Sequence, residues 1–239
     1  MPGRTILITG ASRGIGLASA NRLSSKGHTV IGISRKTPQG FPGKFYEADL
    51  CDQESTAQLL AEITSTHEID SVANNAGLTT SKSIEEADLL EFEKIIAINL
   101  RAAMQTVQAC LPAMKRHRGG RVINVSSRAA LGMAGRSAYS AAKSGVIGFT
   151  RTWALELGQY GVNVNAIAPG PIATELYLQN NPMSSEEKSA LLQKIPLKRL
   201  GSPEDKAGTV EFLLSEDSGF MTGQVLYVCG GLSIGAYPL

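Results

Sequence analysis

The chain has 239 residues, 43% hydrophobic and 18% charged, with a net charge of +2. That is enough material for one sizeable core, and the near balance of charge excludes an extended polyanion-binding surface, so no nucleic-acid partner is expected. Three widely spaced cysteines and three scattered histidines exclude a disulfide framework and a metal site of the usual spacing.

Residues 1–9 hold a short apolar run, Ile6-Leu7-Ile8, without a cleavage-site pattern, and no stretch is apolar for long enough to span a bilayer. A cytoplasmic protein with no membrane partner is the expectation. Thr5–Thr9 reads as a buried strand, followed by a glycine-rich turn and a helix over Gly14–Ser25. Thr29–Ser34 predicts a second strand and residues 44–48 a weaker third. Between them lies a short segment with two prolines and two glycines. Gln53–Thr66 has helical spacing through Ala57, Leu60, Ala61 and Thr64, and residues 69–73 predict a fourth strand.

A single long helix is expected over about 88–116, carrying Phe92, Ile95, Ile96, Leu100, Met104 and Val107. Its basic end, Lys115-Arg116-His117-Arg118, suits the negative pole of a helix dipole. Residues 121–126 predict a fifth strand, 137–160 a second long helix, 162–167 a sixth strand and 224–228 a seventh. Shorter helices are expected near 186–193 and over Pro203–Leu214, with residues 172–200 forming a substrate loop or lid. Strands alternating with helices imply βαβ units. The expected fold is therefore one doubly wound α/β domain over 1–239, a parallel seven-stranded sheet of Rossmann type with helices on both faces.

The turn Thr9-Gly10-Ala11-Ser12-Arg13-Gly14-Ile15-Gly16 stands between the first strand and the first helix. A helix N-terminus offers unpaired N–H groups, and glycines let a pyrophosphate approach the backbone. The second strand ends in Ser34, Arg35 and Lys36, where a carboxylate would bind the ribose 2′-hydroxyl of NAD. Arg13 and Arg35 are instead suited to a 2′-phosphate, which predicts NADP(H) as cofactor. Tyr139 and Lys143 lie four apart on a predicted helix, hence on one face, where an ammonium group favours the phenolate.

The T-G-x-x-x-G-x-G spacing resembles that of the short-chain dehydrogenase/reductase family, and the likeness runs through nearly the whole chain. Asn74-Asn75-Ala76-Gly77 looks like the family's N-N-A-G turn, Asn99 stands in an I-N-L setting, and Tyr139-Ser140-Ala141-Ala142-Lys143 is similar to its Y-x-x-x-K signature. Pro169-Gly170 matches its P-G turn. The resemblance implies an NADPH-linked oxidoreductase interconverting a ketone and a secondary alcohol. Tyr139 would be the acid, Lys143 the ribose-binding cation and Asn99 the holder of a relay water. Asp49 and Leu50 would sit beside adenine, Asn75, Ala76 and Gly77 along the dinucleotide, and Ile172 and Thr174 at the nicotinamide. The catalytic serine falls on Ser127 when aligned on strand five and on Ser126 when counted back from Tyr139. Strand register is set by burial while loop length varies, so Ser127 is preferred.

Ile195-Pro196-Leu197-Lys198-Arg199-Leu200-Gly201-Ser202-Pro203-Glu204 is similar to a stretch of 3-oxoacyl-acyl-carrier-protein reductases, which makes a 3-oxoacyl carrier substrate the leading expectation. Two departures weigh the other way. Tyr160 stands where those reductases often carry a basic residue, and Cys229-Gly230-Gly231 replaces D-G-G. The alternatives are a dehydrogenase of a sugar, polyol, sterol or cyclic alcohol, or a silent NADP-binding sensor or scaffold. The resemblance also implies a homotetramer or dimer built on the two long helices, with the C-terminal tail completing a tetramer.

Overall fold

The computed structural model describes residues 3–234. The end of the C-terminal tail, residues 235–239, lies outside the described residues, and so does its expected part in a tetramer. Seven strands form one sheet: β1 (Thr5–Thr9), β2 (Thr29–Ser34), β3 (Lys44–Glu47), β4 (Ser71–Asn74), β5 (Arg121–Val125), β6 (Asn163–Pro169) and β7 (Val225–Val228). Their order is β3-β2-β1-β4-β5-β6-β7 and every pairing is parallel. The order reverses between β1 and β4, so a crevice opens beyond the carboxyl ends of the central strands.

Among the described residues, eight α-helices connect the strands: α1 (Gly14–Ser25), α2 (Gln53–Thr66), α3 (Leu89–Ile96), α4 (Ala102–His117), α5 (Ser137–Leu157), α6 (Glu175–Asn180), α7 (Ser185–Lys194) and α8 (Pro203–Leu214). Successive strand residues face opposite sides, and β1 shows the result. Leu7 joins a core with Ile31, Ile63, Val107 and Trp153 on one face. Ile6 and Ile8 join another with Leu23, Ile123, Ile167 and Leu213 on the opposite face. Burial on both sides explains the near-continuous apolar runs of these strands.

Three elements differ from the sequence expectation. The single helix over 88–116 is interrupted by a π-helical turn, Ala97–Arg101, between α3 and α4. Asp88 caps α3 by accepting from the N–H groups of Leu90 and Glu91. The lid holds a further short helix, α6, capped by Thr174 and too brief to show a period. The helix over 137–160 ends at Leu157, and a 3-10 turn leads to Gly161 at φ +72°.

The basic run at the end of α4 is engaged within the chain. Arg116 and His117 both reach Glu68, at 2.8 and 3.1 Å, and Lys115 lies 4.4 Å from the centre of the Tyr160 ring. Among the described residues, no helix is long and apolar enough to cross a membrane, and no cluster of His, Cys, Asp or Glu is built to hold a metal.

Candidate active site

A cleft of about 1200 Å³ runs along the carboxyl edge of the sheet, from the turn after β2 to the lid. Gly10, Ser12, Arg13, Gly14 and Ile15 form one wall. Helix α1 begins with Arg13 in an extended conformation and no side-chain cap, whereas α2, α3, α6, α7 and α8 each have one. The N–H groups of its first turn therefore remain free for an anion.

Gly10 sits at φ +66°, and a Cβ there would lie 2.8 Å from the Ala76 Cα. Only glycine lets the two turns approach this closely. Asn75 stitches them together, its Nδ2 donating to the carbonyls of Thr9 and Gly10 at 3.1 and 3.0 Å. The Thr9 hydroxyl accepts in return from the N–H groups of Asn75 and Ala76. Gly16 lies behind the cleft wall, where a Cβ would meet the Asn75 Nδ2 at 2.7 Å, so its part is helix-to-turn packing.

At the far end, Ser34, Arg35, Lys36, Asp49 and Leu50 line the cleft. The Ser12 and Ser34 hydroxyls are 3.0 Å apart. Glu47 is opposite Ser34 in the sheet, but it accepts from Thr37 N and Oγ1 at 2.8 Å each and does not line the cleft. Arg13 forms a 3.0 Å ion pair with Glu175 of the lid, both side chains well exposed, so the pair is weak and open to exchange. Seven cations and two carboxylates line the cleft as a whole, which suits a polyanionic ligand.

The opposite wall carries Ser127, Tyr139 and Lys143, with Pro169, Gly170, Ile172 and Thr174 beneath the lid. Lys143 is buried, and its Nζ donates to the Val125 carbonyl at 2.7 Å. Desolvation brings its pKa down to about 7. Tyr139 is half-buried, with the Lys143 Nζ 5.7 Å from its ring centre. Burial pushes the Tyr139 phenol up, while the Ser127 hydroxyl and the Arg136 charge oppose that shift. Two cations thus stand near the phenol, Lys143 one helical turn along α5 and Arg136 at the start of that helix.

The two serines separate clearly. Ser126 is buried and its Oγ donates to the Lys143 carbonyl at 2.8 Å, tying β5 to α5. Ser127 is half-buried, accepts from the Ala129 N–H, and is the serine that acts on Tyr139. Asn99 sits in the π turn behind the cleft wall. Its Nδ2 donates to the carbonyls of Leu78 and Ile95, while its buried Oδ1 has no partner among the described residues. That Oδ1 and the Lys143 Nζ both abut Gly77, where an added Cβ would lie 2.9 and 3.6 Å from them.

Thr79, Arg128, Met133 and Arg136 line the substrate end, carry no motif and escape sequence reasoning, whereas Tyr177 and Asn181 beside them fall within the expected lid. An arginine three residues before a Y-x-x-x-K tyrosine was the available signal, and it reads equally well as an ordinary helix start.

A doubly wound sheet with a free helix N-terminus, a phenol, a hydroxyl and a near-neutral amine in one cleft defines an oxidoreductase acting on CH–OH groups. Residues 10–233 match a family model described as enoyl-(acyl carrier protein) reductase. The chain is 38% identical to the 3-oxoacyl-[acyl-carrier-protein] reductase FabG of Haemophilus influenzae, over 97% of this chain and 99% of that one. It is 36% identical to the (2S)-[(R)-hydroxy(phenyl)methyl]succinyl-CoA dehydrogenase subunit BbsD of Thauera aromatica, over 97% of both. A putative NAD(P)-dependent gluconate 5-dehydrogenase from Beutenbergia cavernae, solved with NADP at low occupancy, superposes with a TM-score of 0.92 at 32% identity over 97% of both chains. The chain belongs to the short-chain dehydrogenase/reductase family.

Proposed function

We propose that the protein is an NADPH-dependent reductase that interconverts a ketone and a secondary alcohol, with Tyr139 as the proton donor. The observation that carries this reading is the convergence of Ser127, Tyr139 and Lys143 on one wall of a cleft whose other wall is an uncapped helix N-terminus. The residues fit a dinucleotide: Gly10 lets the turns after β1 and β4 close on each other along the cleft, and the N–H groups of α1 are free. Arg13, Ser34 and Arg35 would hold a 2′-phosphate, with no carboxylate of β2 to repel it. When bound, NADPH supplies the hydride.

The chain supplies the proton and the positioning. Tyr139 donates its phenolic proton to the carbonyl oxygen, and the Ser127 hydroxyl holds that oxygen as negative charge develops on it. Lys143, held by Val125, stabilises the resulting phenolate once it is protonated, and its near-neutral pKa lets it exchange that proton. The unpaired Asn99 Oδ1 beside Gly77 supports a relay role toward Lys143.

The likeness to FabG and the residues 195–204 support a 3-oxoacyl thioester as substrate. A second reading, a hydroxy-acid or sugar dehydrogenase, is favoured by the arginines at the substrate end. NADPH oxidation across β-ketoacyl thioesters, cyclic ketones, quinones and sugars separates the two. Tyr139→Phe is expected to lower turnover by roughly 10²–10⁴-fold with NADPH binding intact; full activity in that variant overturns the assignment. A homotetramer or dimer built on α4 and α5 completes the proposal, supported by the exposed Met104 and Leu155 and read by light scattering.

A further inference from the structure

We propose that Arg136, seconded by Arg128, binds a carboxylate on the substrate, so that the ketone reduced here belongs to a short oxo acid. The inference rests on the ketone-reductase reading and narrows its substrate.

Arg136 is buried, at 8% exposure, yet it lines the cleft. Its Nη1 donates to Thr79 Oγ1 at 2.6 Å and its Nη2 to Asn181 Oδ1 at 3.0 Å, both neutral. Those contacts use two of the five N–H donors of a guanidinium. Arg128 is half-buried on the same cleft, and among the described residues neither arginine forms an ion pair. An arginine stays charged at any working pH, and a buried charge without a counter-ion is strongly disfavoured. The two cleft carboxylates are elsewhere: Asp49 lies at the far end, and Glu175 is paired with Arg13. An anion delivered by the substrate is the group that completes this site, and a planar fork matches a carboxylate.

The placement puts that carboxylate at the same end of the cleft as Tyr139. Arg136 stands three residues before Tyr139, and its charge acts on that phenol. Both arginines also act on Tyr177 of the lid. Asn181, at the end of α6, bonds Arg136 and donates to the Tyr177 carbonyl. A carboxylate seated on Arg136 therefore lies near the reacting carbonyl and under α6. This geometry selects a compact acid over a long acyl chain.

The test uses matched pairs, acetoacetate and levulinate each against its methyl ester, with NADPH oxidation by wild type, Arg136→Gln, Arg136→Lys and Arg128→Gln. In wild type the acids are expected to exceed their esters in kcat/KM by roughly tenfold to hundredfold. Arg136→Gln should bring the acid-to-ester ratio of kcat/KM close to one through the KM of the acids, over and above any fall in kcat shared by acid and ester that follows from removing a charge beside Tyr139. Arg136→Lys should restore part of that ratio, and Arg128→Gln should show a smaller loss. Equal handling of acid and ester in wild type, or an Arg136→Gln variant that lowers both alike and keeps the ratio, overturns the proposal. If no ketone at all is reduced, the reductase reading fails instead. The anion site is then read alone, from quenching of bound NADPH fluorescence by succinate, which wild type must show and Arg136→Gln must lose.

Discussion

Replacing Lys143 by methionine should make the cofactor-free protein more stable while silencing it. The amine is buried at 3% exposure and its pKa falls from 10.5 to about 7. That difference corresponds to ~5 kcal/mol of unfavourable ionisation in the folded state. Methionine fills similar volume without charge but leaves the Val125 carbonyl without its donor, which costs about 1–3 kcal/mol. The net expectation at pH 7 is a gain of ~2–4 kcal/mol, or roughly 5–15 °C in Tm for a chain of this size. The sign with pH follows from proton binding. Between about 7 and 10.5 the unfolded chain holds the proton that the folded chain has lost, so wild-type stability rises with pH across that window. The variant lacks this contribution, so its advantage should shrink toward pH 10. Lys206, also buried and lowered to about 8, is common to both proteins and cancels in the difference. Urea unfolding of both proteins from pH 6 to 10 measures the effect. Parallel curves, or a variant less stable than wild type at pH 7, would refute the argument.

Ser127→Ala should lower kcat by roughly 10²–10³-fold, with a stability loss limited to its half-buried capping bond from the Ala129 N–H. Ser126→Ala should do the reverse, losing about 1–2 kcal/mol in thermal unfolding because its bond to the Lys143 carbonyl is buried. Exchanged outcomes would transfer the substrate-binding role to Ser126. Gly10→Ala places a methyl 2.8 Å from the Ala76 Cα at a positive φ, and calorimetry should show NADPH binding weakened by about tenfold or more. Unchanged affinity would show that the two turns can part. Arg35→Asp should invert cofactor choice, read as the ratio of kcat/KM for NADPH and NADH, because a carboxylate there repels a 2′-phosphate; an unchanged ratio removes Arg35 from that role.

What the sequence revealed and what it hid divide along physical lines. Strands such as Thr29–Ser34 and the turn from Thr9 to Gly16 are written in local residue order, so periodicity and glycine spacing find them. The π turn at Ala97–Arg101 is hidden because one widened turn hardly disturbs a helical stripe over 88–116. Helix α6 is hidden because six residues show less than two turns of period. Arg136 was missed for another reason. Its partners, Thr79 and Asn181, lie 57 and 45 residues away, and its meaning comes from the carboxylate that none of its neighbours supplies. The state of Lys143 is equally non-local: the four-residue spacing to Tyr139 is visible in the sequence, but the burial that lowers its pKa is created by the whole fold.

The position of β7 at one rim of the sheet has a consequence for biogenesis. Among the described residues, residues 222–228 cover β6 on that side, and they are among the last described residues to be synthesised. Until they emerge, the backbone donors and acceptors along β6 stand open, an invitation to pair with another nascent chain. Parallel pairing between segments far apart in the chain is slow to form. The turns of the cleft follow strands spread from residue 5 to residue 169, so a truncated chain should emerge as an aggregation-prone intermediate with no fraction of the final activity.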